Sequence, residues 1–387
     1  MPTTRNLRTP PPFFADNDVQ IPSEREMSIL GLTLLHGGLT QPEIIRASGL
    51  PQQTVSRLVK GLIERGMLRE EQRVSKGRRG QPSMFVAAEP GFAYSFGVAM
   101  MTDALSVVLM DFAGNVLFEE LTAMPSMAQR VVLEELDVLF EKALAACRVD
   151  RKKVLGVGVG ISGYNFGKGA RFNTPRQLDE WALIEIDDVL NSHLGLPVWV
   201  ENDGNAAAIG ESLLGVGRTY QNFAYLFIAT GIGGGIITNH QLLRGCNGNA
   251  GEIGLILPSQ IYPHPNLEIL RQIVTRHGIE VDSVTDMLER FDVTWPGVDD
   301  WISRTRDSMS LIVSALAAIL DPEAIVLGGR IPKELARKVI PHVEVYDHYR
   351  RAEPRPLPRI VLGESPGDAC AIGASMLPFK RFFFSGI

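Results

Sequence analysis

Glu201-Asn202-Asp203-Gly204-Asn205 opens a segment that runs through Thr230-Gly231-Ile232-Gly233-Gly234-Gly235 and closes at Gly251-Glu252-Ile253-Gly254-Leu255. A carboxylate, a glycine-rich turn after the apolar run ending at Ile228, and a second carboxylate lie within one stretch. That layout is the one an α/β protein uses to build a small-molecule pocket at the ends of its strands. The segment leaves open whether such a pocket catalyses or only senses.

Around this segment the chain alternates β-rich runs with amphipathic helices. The runs are Tyr94 to Met100, Leu105 to Asp111, Val154 to Ile161, Val198 to Val200, Phe223 to Ile228, Gly235 to Thr238 and Ala324 to Leu327. The helical stretches are Arg130 to Cys147, Trp181 to Leu194 and Trp301 to Leu320. The fold class is α/β, built from βαβ units and hairpins. Three glycine clusters, at 156–160, 231–235 and 328–329, are expected to place ligand at strand ends.

Residues 21–90 have a different character and read as a separate DNA-binding domain ahead of a body at 91–387. Ser23 with Glu26, three residues later, has the form of a capping box. The apolar run Met27 to Leu35 then suits a buried helix. Thr40 caps a second helix with Pro42 in its first turn. A third runs from about Pro51, with Val55, Leu58, Val59, Leu62 and Ile63 at helical spacing. Three short helices with a glycine turn before the third make a helix-turn-helix. Met67 to Glu71 and Met84 to Val86 read as strands of a wing. The exposed candidates for DNA contact on the third helix are Gln52, Gln53, Thr54, Ser56, Arg57 and Lys60. Gln and Arg read base edges; Ser and Thr suit phosphates. Lys76, Arg78 and Arg79, flanked by Gly and Pro, form an extended arm suited to a minor groove. Between Arg46 and Pro82 there are 9 basic and 3 acidic residues, although the chain as a whole carries -6. A basic face on an acidic protein fits a phosphate-bearing partner. Residues 1–20, polar and rich in proline, read as a flexible tail.

The 45% hydrophobic and 21% charged residues are those of an ordinary globular chain. No apolar run approaches the ~18 residues that span a bilayer, so no membrane association is expected. Cys147, Cys246 and Cys370 are odd in number and far apart, which fits a reducing compartment; a cytoplasmic location is the expectation.

From about Ser23 onward the chain resembles the ROK family of repressors and sugar kinases. The resemblance rests on Glu201 to Ala208, Thr230 to Ile236, Ala250 to Gly254 and Ile325-Val326-Leu327-Gly328-Gly329. The winged helix with its arginine arm is similar to the repressor branch, which includes xylose and N-acetylglucosamine repressors. The resemblance implies a two-lobed actin/hexokinase-like (ribonuclease H-like) body with a sugar cleft between the lobes. It implies sugar contacts from Asn202, Asp203, Asn249 and Glu252, and from Ser162 and Asn173 on the smaller lobe.

The same resemblance exposes departures from the kinases. Their first phosphate loop, Asp-x-Gly-Gly-Thr, falls on Ala99 to Asp103: Ala99 replaces the Asp, Met101 and Thr102 the glycines, and Asp103 the Thr. The metal-side carboxylate is absent, and Asp103 is expected to repel phosphate. The second turn, 230–235, keeps its glycines, which permit close approach and positive φ. Leu255 stands where the family's zinc-binding His would be, and no cysteine follows between Ile256 and Leu270. No zinc, no ATP site and no catalytic residue are therefore expected. The expectation is a sugar-responsive regulator, probing operator DNA as a homodimer or homotetramer; the alternatives are a sugar kinase with an added DNA-binding domain, and a module answering to a protein partner.

Overall fold

The computed structural model describes residues 10–73, 83–167, 169–347 and 355–384. The chain begins with a short helix, Pro12–Asp16 (α1), which corrects the expectation of a flexible tail for residues 10–20. Phe13 and Phe14 are buried, and the Phe14 ring stacks on Phe383 at 5.7 Å. Fully burying one phenylalanine is worth about 1.5–3 kcal/mol, enough to hold a short proline-led segment against the body. Residues 1–9 lie outside the described residues.

The helix-turn-helix follows as Glu24–Leu35 (α2), Gln41–Ser48 (α3) and Gln52–Glu64 (α4). The expected capping box forms, the Ser23 amide donating to Glu26 at 2.8 Å, and Thr40 caps α3 in a second box, its amide donating to Glu43 at 2.8 Å. Gly49, at φ 66°, supplies the left-handed residue that ends α3 and lets α4 turn away. Val55, Val59 and Leu62 of α4 are buried against α2 and α3. The wing strands Leu68–Arg73 (β2) and Ser83–Ala88 (β3) pair antiparallel. A two-residue strand, Leu39–Thr40 (β1), which the sequence did not suggest, adds to β3.

The body has two lobes. The first sheet comprises Tyr94–Met100 (β4), Ala104–Asp111 (β5), Val116–Ala123 (β6), Val154–Ile161 (β7) and, beyond the short hairpin Tyr164–Asn165 (β8) and Phe172–Asn173 (β9), Val198–Asn202 (β10). Its order is β10-β7-β4-β5-β6. Helices Gln129–Cys147 (α5) and Ile186–Leu194 (α6) cover one face. Helix Asp203–Leu214 (α7) leads to the second sheet, made of Phe223–Ile228 (β11), Ile232–Thr238 (β12), Gln241–Leu242 (β13), Ala324–Gly329 (β14) and Arg359–Leu362 (β15), in the order β13-β12-β11-β14-β15. Helices Leu267–Arg276 (α8), Val284–Glu289 (α9), Val298–Leu320 (α10) and Lys333–Val339 (α11) belong to this lobe. The last helix, Ala369–Phe382 (α12), packs against α7 and returns across β4 and β7.

α7 and α12 join the lobes because small residues let backbones touch. A Cβ on Gly158 would sit 1.8 Å from the Ala374 carbonyl oxygen, and one on Gly373 1.7 Å from that of Ala206. The cluster at 156–160 is thus strand β7 packed on a helix. Gly158 and Gly160 make room for α12 and Gly156 for Trp199, so these glycines serve packing, while the end of the strand at Ser162 reaches the cavity.

Candidate functional site

The two sheets converge on a cavity of about 290 Å³ between the lobes. Its walls come from the ends of β4 and β7, the start of α7, the turn between β11 and β12, Glu252 and Arg330. A hexose-sized molecule suits a pocket of this scale.

Asp203 is the first residue of α7. Its position is fixed by Asn202, whose side-chain oxygen accepts the Asn205 amide at 3.0 Å while its nitrogen donates to the Gly163 carbonyl at 2.8 Å. Asn202 therefore lines the cavity with its polar atoms committed to the backbone. The Ser162 hydroxyl donates to Asp203 at 2.5 Å. Burial raises the Asp203 pKa, against the lowering effect of the Ser162 bond. Glu252 is raised too, first by burial and then by the charge of Asp203. Two carboxylates thus share one poorly hydrated pocket, where each strongly favours a partner that donates hydrogen bonds.

Two expected sugar contacts fall outside this cavity. Asn249 clasps the backbone of Asn165, accepting its amide at 2.7 Å and donating to its carbonyl at 3.0 Å. Asn173 donates to the Tyr164 hydroxyl at 2.5 Å. Neither residue lines the cavity. Ser162, Asn202, Asp203 and Glu252 do. Sequence reading missed Tyr164, Gln177, Phe227 and Arg330. Arg330 directly follows the glycine pair at 328–329, which was the one available signal.

At the other end the cleft is bridged. The Thr102 hydroxyl donates to that of Thr230 at 3.2 Å, joining the turn after β4 to the turn between β11 and β12. Arg330 pairs with Asp103 at 2.9 Å, and both side chains are largely buried. Asp103 also accepts from the Thr285 amide at 2.9 Å and hydroxyl at 2.8 Å, while Arg330 donates to that hydroxyl at 2.6 Å. Asp103 lies in the first lobe; Thr285 and Arg330 lie in the second. The residue expected to repel phosphate is instead the centre of a polar bridge between lobes.

The glycine turn differs from expectation as well. None of Gly231, Gly233, Gly234 and Gly235 has positive φ. Gly234 and Gly235 are strand residues whose missing side chains admit Ile253 and Ala208. Leu255 is 84% exposed, and His264 meets Ser259 at 3.2 Å. Among the described residues, no three His, Cys, Asp or Glu side chains are grouped to hold a metal.

On α4, Gln52, Gln53, Ser56, Arg57 and Lys60 are exposed and Thr54 is half-buried. They occupy the face opposite Val55, Val59 and Leu62, which is the arrangement a recognition helix requires. Lys76, Arg78 and Arg79 lie outside the described residues.

Residues 96–267 match the model of the ROK family, and residues 21–80 match that of the MarR family. The chain carries a ROK-family domain. The chain is 25% identical over 343 residues to a putative xylose repressor of Caldicellulosiruptor sp., covering 81% of this chain and 85% of that protein. It is 29% identical over 268 residues to a glucokinase of Halalkalibacterium halodurans, covering 61% and 80% respectively. In structure it is similar to a ROK family transcriptional regulator that is a homolog of the E. coli MLC protein. The TM-score is 0.62 at 17% identity, covering 93% of this chain and 96% of that one, which shows a shared fold. Among the described residues no helix is long and apolar enough to cross a membrane.

Proposed function

We propose that this protein is a sugar-responsive DNA-binding repressor whose cleft senses a sugar without transferring phosphate to it. The observation that carries the reading is the contrast within the cleft. Asp203 and Glu252 present their carboxylates to the cavity, while Thr102 and Arg330 on the same cavity wall are engaged, with Asp103, Thr285 and Thr230, in polar contacts that bridge the lobes. A carboxylate that takes a sugar hydroxyl's proton in a kinase holds that hydroxyl in a sensor. The reading needs neither zinc nor nucleotide.

Binding couples to DNA if the sugar favours one arrangement of the lobes, and such coupling is typically about 1–3 kcal/mol. In a homodimer, the two copies of α4 would reach successive major grooves ~34 Å apart. Support for the DNA-binding output comes from the exposed Gln, Ser, Arg and Lys face of α4, from the MarR match and from the repressor relative.

The test starts from genomic fragments selected with purified protein. On the operator so obtained, Arg57→Ala is expected to weaken binding by about 1–3 kcal/mol and leave sugar-induced thermal stabilisation unchanged. Equal operator affinity for the variant and the parent protein would remove α4 as the reading helix.

One observation favours a second reading, a sugar kinase: buried Asp203, with its raised pKa, has the chemistry of a general base. A coupled ATP-turnover assay over hexoses and amino sugars separates the two. The sensor reading predicts no sugar-dependent turnover; turnover abolished by Asp203→Asn would establish the kinase.

A further inference from the structure

The helix-turn-helix is fastened to the first lobe in two places. Its wing runs directly into β4, where Phe92 packs on Phe112, just after β5, at 4.9 Å. Helix α1 lies on the end of α12, its Phe14 stacked on Phe383. α12 in turn rides on the first sheet, where a Cβ on Gly97 would collide with the Ala371 carbonyl oxygen. A third contact differs from these, because it also reaches the second lobe. Leu34 of α2, only 3% exposed, is buried in a notch with one wall from each lobe. The first wall is the turn between β5 and β6, held by the Asp111 carboxylate, which accepts the Ala113 and Asn115 amides at 2.9 Å each. Gly114 in this turn has φ 81°, and a Cβ there would lie 3.3 Å from Leu34 Cδ1 and 2.9 Å from Leu214 Cδ2. Leu214, the last residue of α7, is the second wall.

α7 travels with the second lobe. A Cβ on Gly235 of β12 would lie 2.6 Å from that of Ala208, so helix and strand touch backbone to side chain. The buried Glu211 carboxylate accepts the amides of Glu364 and Ser365, just beyond β15, at 3.0 and 2.9 Å. The first residue of α7 is Asp203 on the cavity wall. At about 1.5 Å per residue the helix carries the backbone about 16 Å, from that carboxylate to the Leu34 notch. We propose, building on the sugar-responsive reading above, that this notch is the surface through which the cleft controls the DNA-reading module.

The movement follows from which parts are fixed. A ligand that draws Asp203 and Glu252 toward Ser162 shifts the second sheet against the first, and α7 goes with its sheet. Leu214 then moves against the Gly114 turn, while the two anchors hold the module to the first lobe. Close-packed interiors pass such displacements on rather than absorb them, so α2 tilts about its anchors. α2 shares its core with Val55, Val59 and Leu62 of α4, and the tilt reaches the exposed face of that helix. Simple packing of the module would ask only that Leu34 be buried; a seat built from both lobes is what makes it sensitive to their spacing. α12 offers a competing route, since Cys370 lies on the cavity wall and Phe382 meets Phe14 at 5.2 Å. It rides on the same lobe as the anchors, however, so lobe movement leaves that seam in place.

The test uses the full chain. Xylose, glucose and N-acetylglucosamine are screened by thermal shift, and one that raises the melting temperature is carried into fluorescence anisotropy on the selected operator. The parent protein should change its operator affinity by about fivefold or more when the sugar is added. In Leu214→Ala the same sugar should still raise the melting temperature, but the change in operator affinity should fall below about twofold. Leu214→Met, which keeps the volume at the notch, should restore the response. Leu214 is half-buried and lines no part of the sugar cavity; if its truncation to Ala prevents folding, Leu214→Val is read in its place. A full response in the folded Leu214 variant would reduce the notch to packing and overturn this inference alone. So would a response kept in Leu214→Ala but lost in Phe14→Ala, which would place the coupling at the α12 seam. Loss of the sugar-induced rise in melting temperature in Leu214→Ala would make the residue a support of the cavity, and would overturn the inference as well. Absence of any sugar response in the parent protein is a different failure: it removes the sugar-responsive reading, and this inference with it.

Discussion

The two ends of the interlobe cleft are built from the same sheets, yet they treat polar groups in opposite ways. At the sugar end, Asp203 and Glu252 are held in place with hydrogen-bonding capacity turned toward a cavity. At the phosphate end, Asp103 has accepted three bonds from Thr285 and Arg330, and Thr102 reaches Thr230 directly. A buried charge must have a partner, supplied by the protein or by a ligand. Asp103 is met by a cation, Arg330, whereas Asp203 is met by neutral donors, the Ser162 hydroxyl and the Gly204 amide.

The largest effect should come from breaking the bridge. Arg330→Ala would leave Asp103 largely buried without its cation, and removal of one partner from such a pair typically costs about 3–5 kcal/mol. Urea denaturation measures this directly, and a loss below about 1 kcal/mol would show that the bridge contributes little to joining the lobes. A smaller effect is expected at the sugar end. Asp203→Asn removes a charge-assisted hydrogen-bond acceptor, worth about 1.5–3 kcal/mol, from any bound sugar. Thermal-shift titration should show sugar stabilisation weakened at least tenfold, with the unliganded fold still cooperative.

The smallest effect concerns pH. The folded pKa of Glu252 is raised by burial and by Asp203. A raised carboxyl favours the folded state fully below the unfolded pKa, near 4, and loses that contribution as pH rises through the folded value. Glu252→Gln removes the titration. The variant should gain stability relative to the parent chain on going from pH 4 to pH 7, as read by melting temperature. A difference independent of pH would mean that the Glu252 carboxyl is not perturbed in the fold.

The sequence made these two ends unequally legible. The identity of Ala99 to Asp103 was enough to raise the expectation that this loop does not hold phosphate. It could not show that Asp103 meets Arg330, because 227 residues separate them and no local pattern links them. Helices α2 to α4 were legible because one face of each is apolar and their caps are local. Helices α7 and α12 were not, since both are buried almost all round and consist largely of Ala, Gly and Ser, which leaves no amphipathic period to detect. The packing role of the glycines at 156–160 was hidden for the same reason: a strand packed on a buried helix and a ligand turn both call for glycine. Asn249 and Asn173 carried the right chemistry for a sugar, but an amide satisfied by a backbone or a tyrosine is visible only in three dimensions. Phe13 and Phe14 were overlooked because polar, proline-rich surroundings hid two anchoring rings.

The central claim is that occupation of the Asp203–Glu252 cavity alters DNA binding by the α4 module. The most direct measurement is operator affinity by fluorescence anisotropy, with and without a sugar that raises the melting temperature, in the parent protein and in Asp203→Asn. The account predicts a fivefold or larger change in operator affinity for the parent protein, corresponding to about 1 kcal/mol or more of coupling, and none for the variant. A sugar that stabilises the parent protein through Asp203 yet leaves its operator affinity unchanged would contradict it.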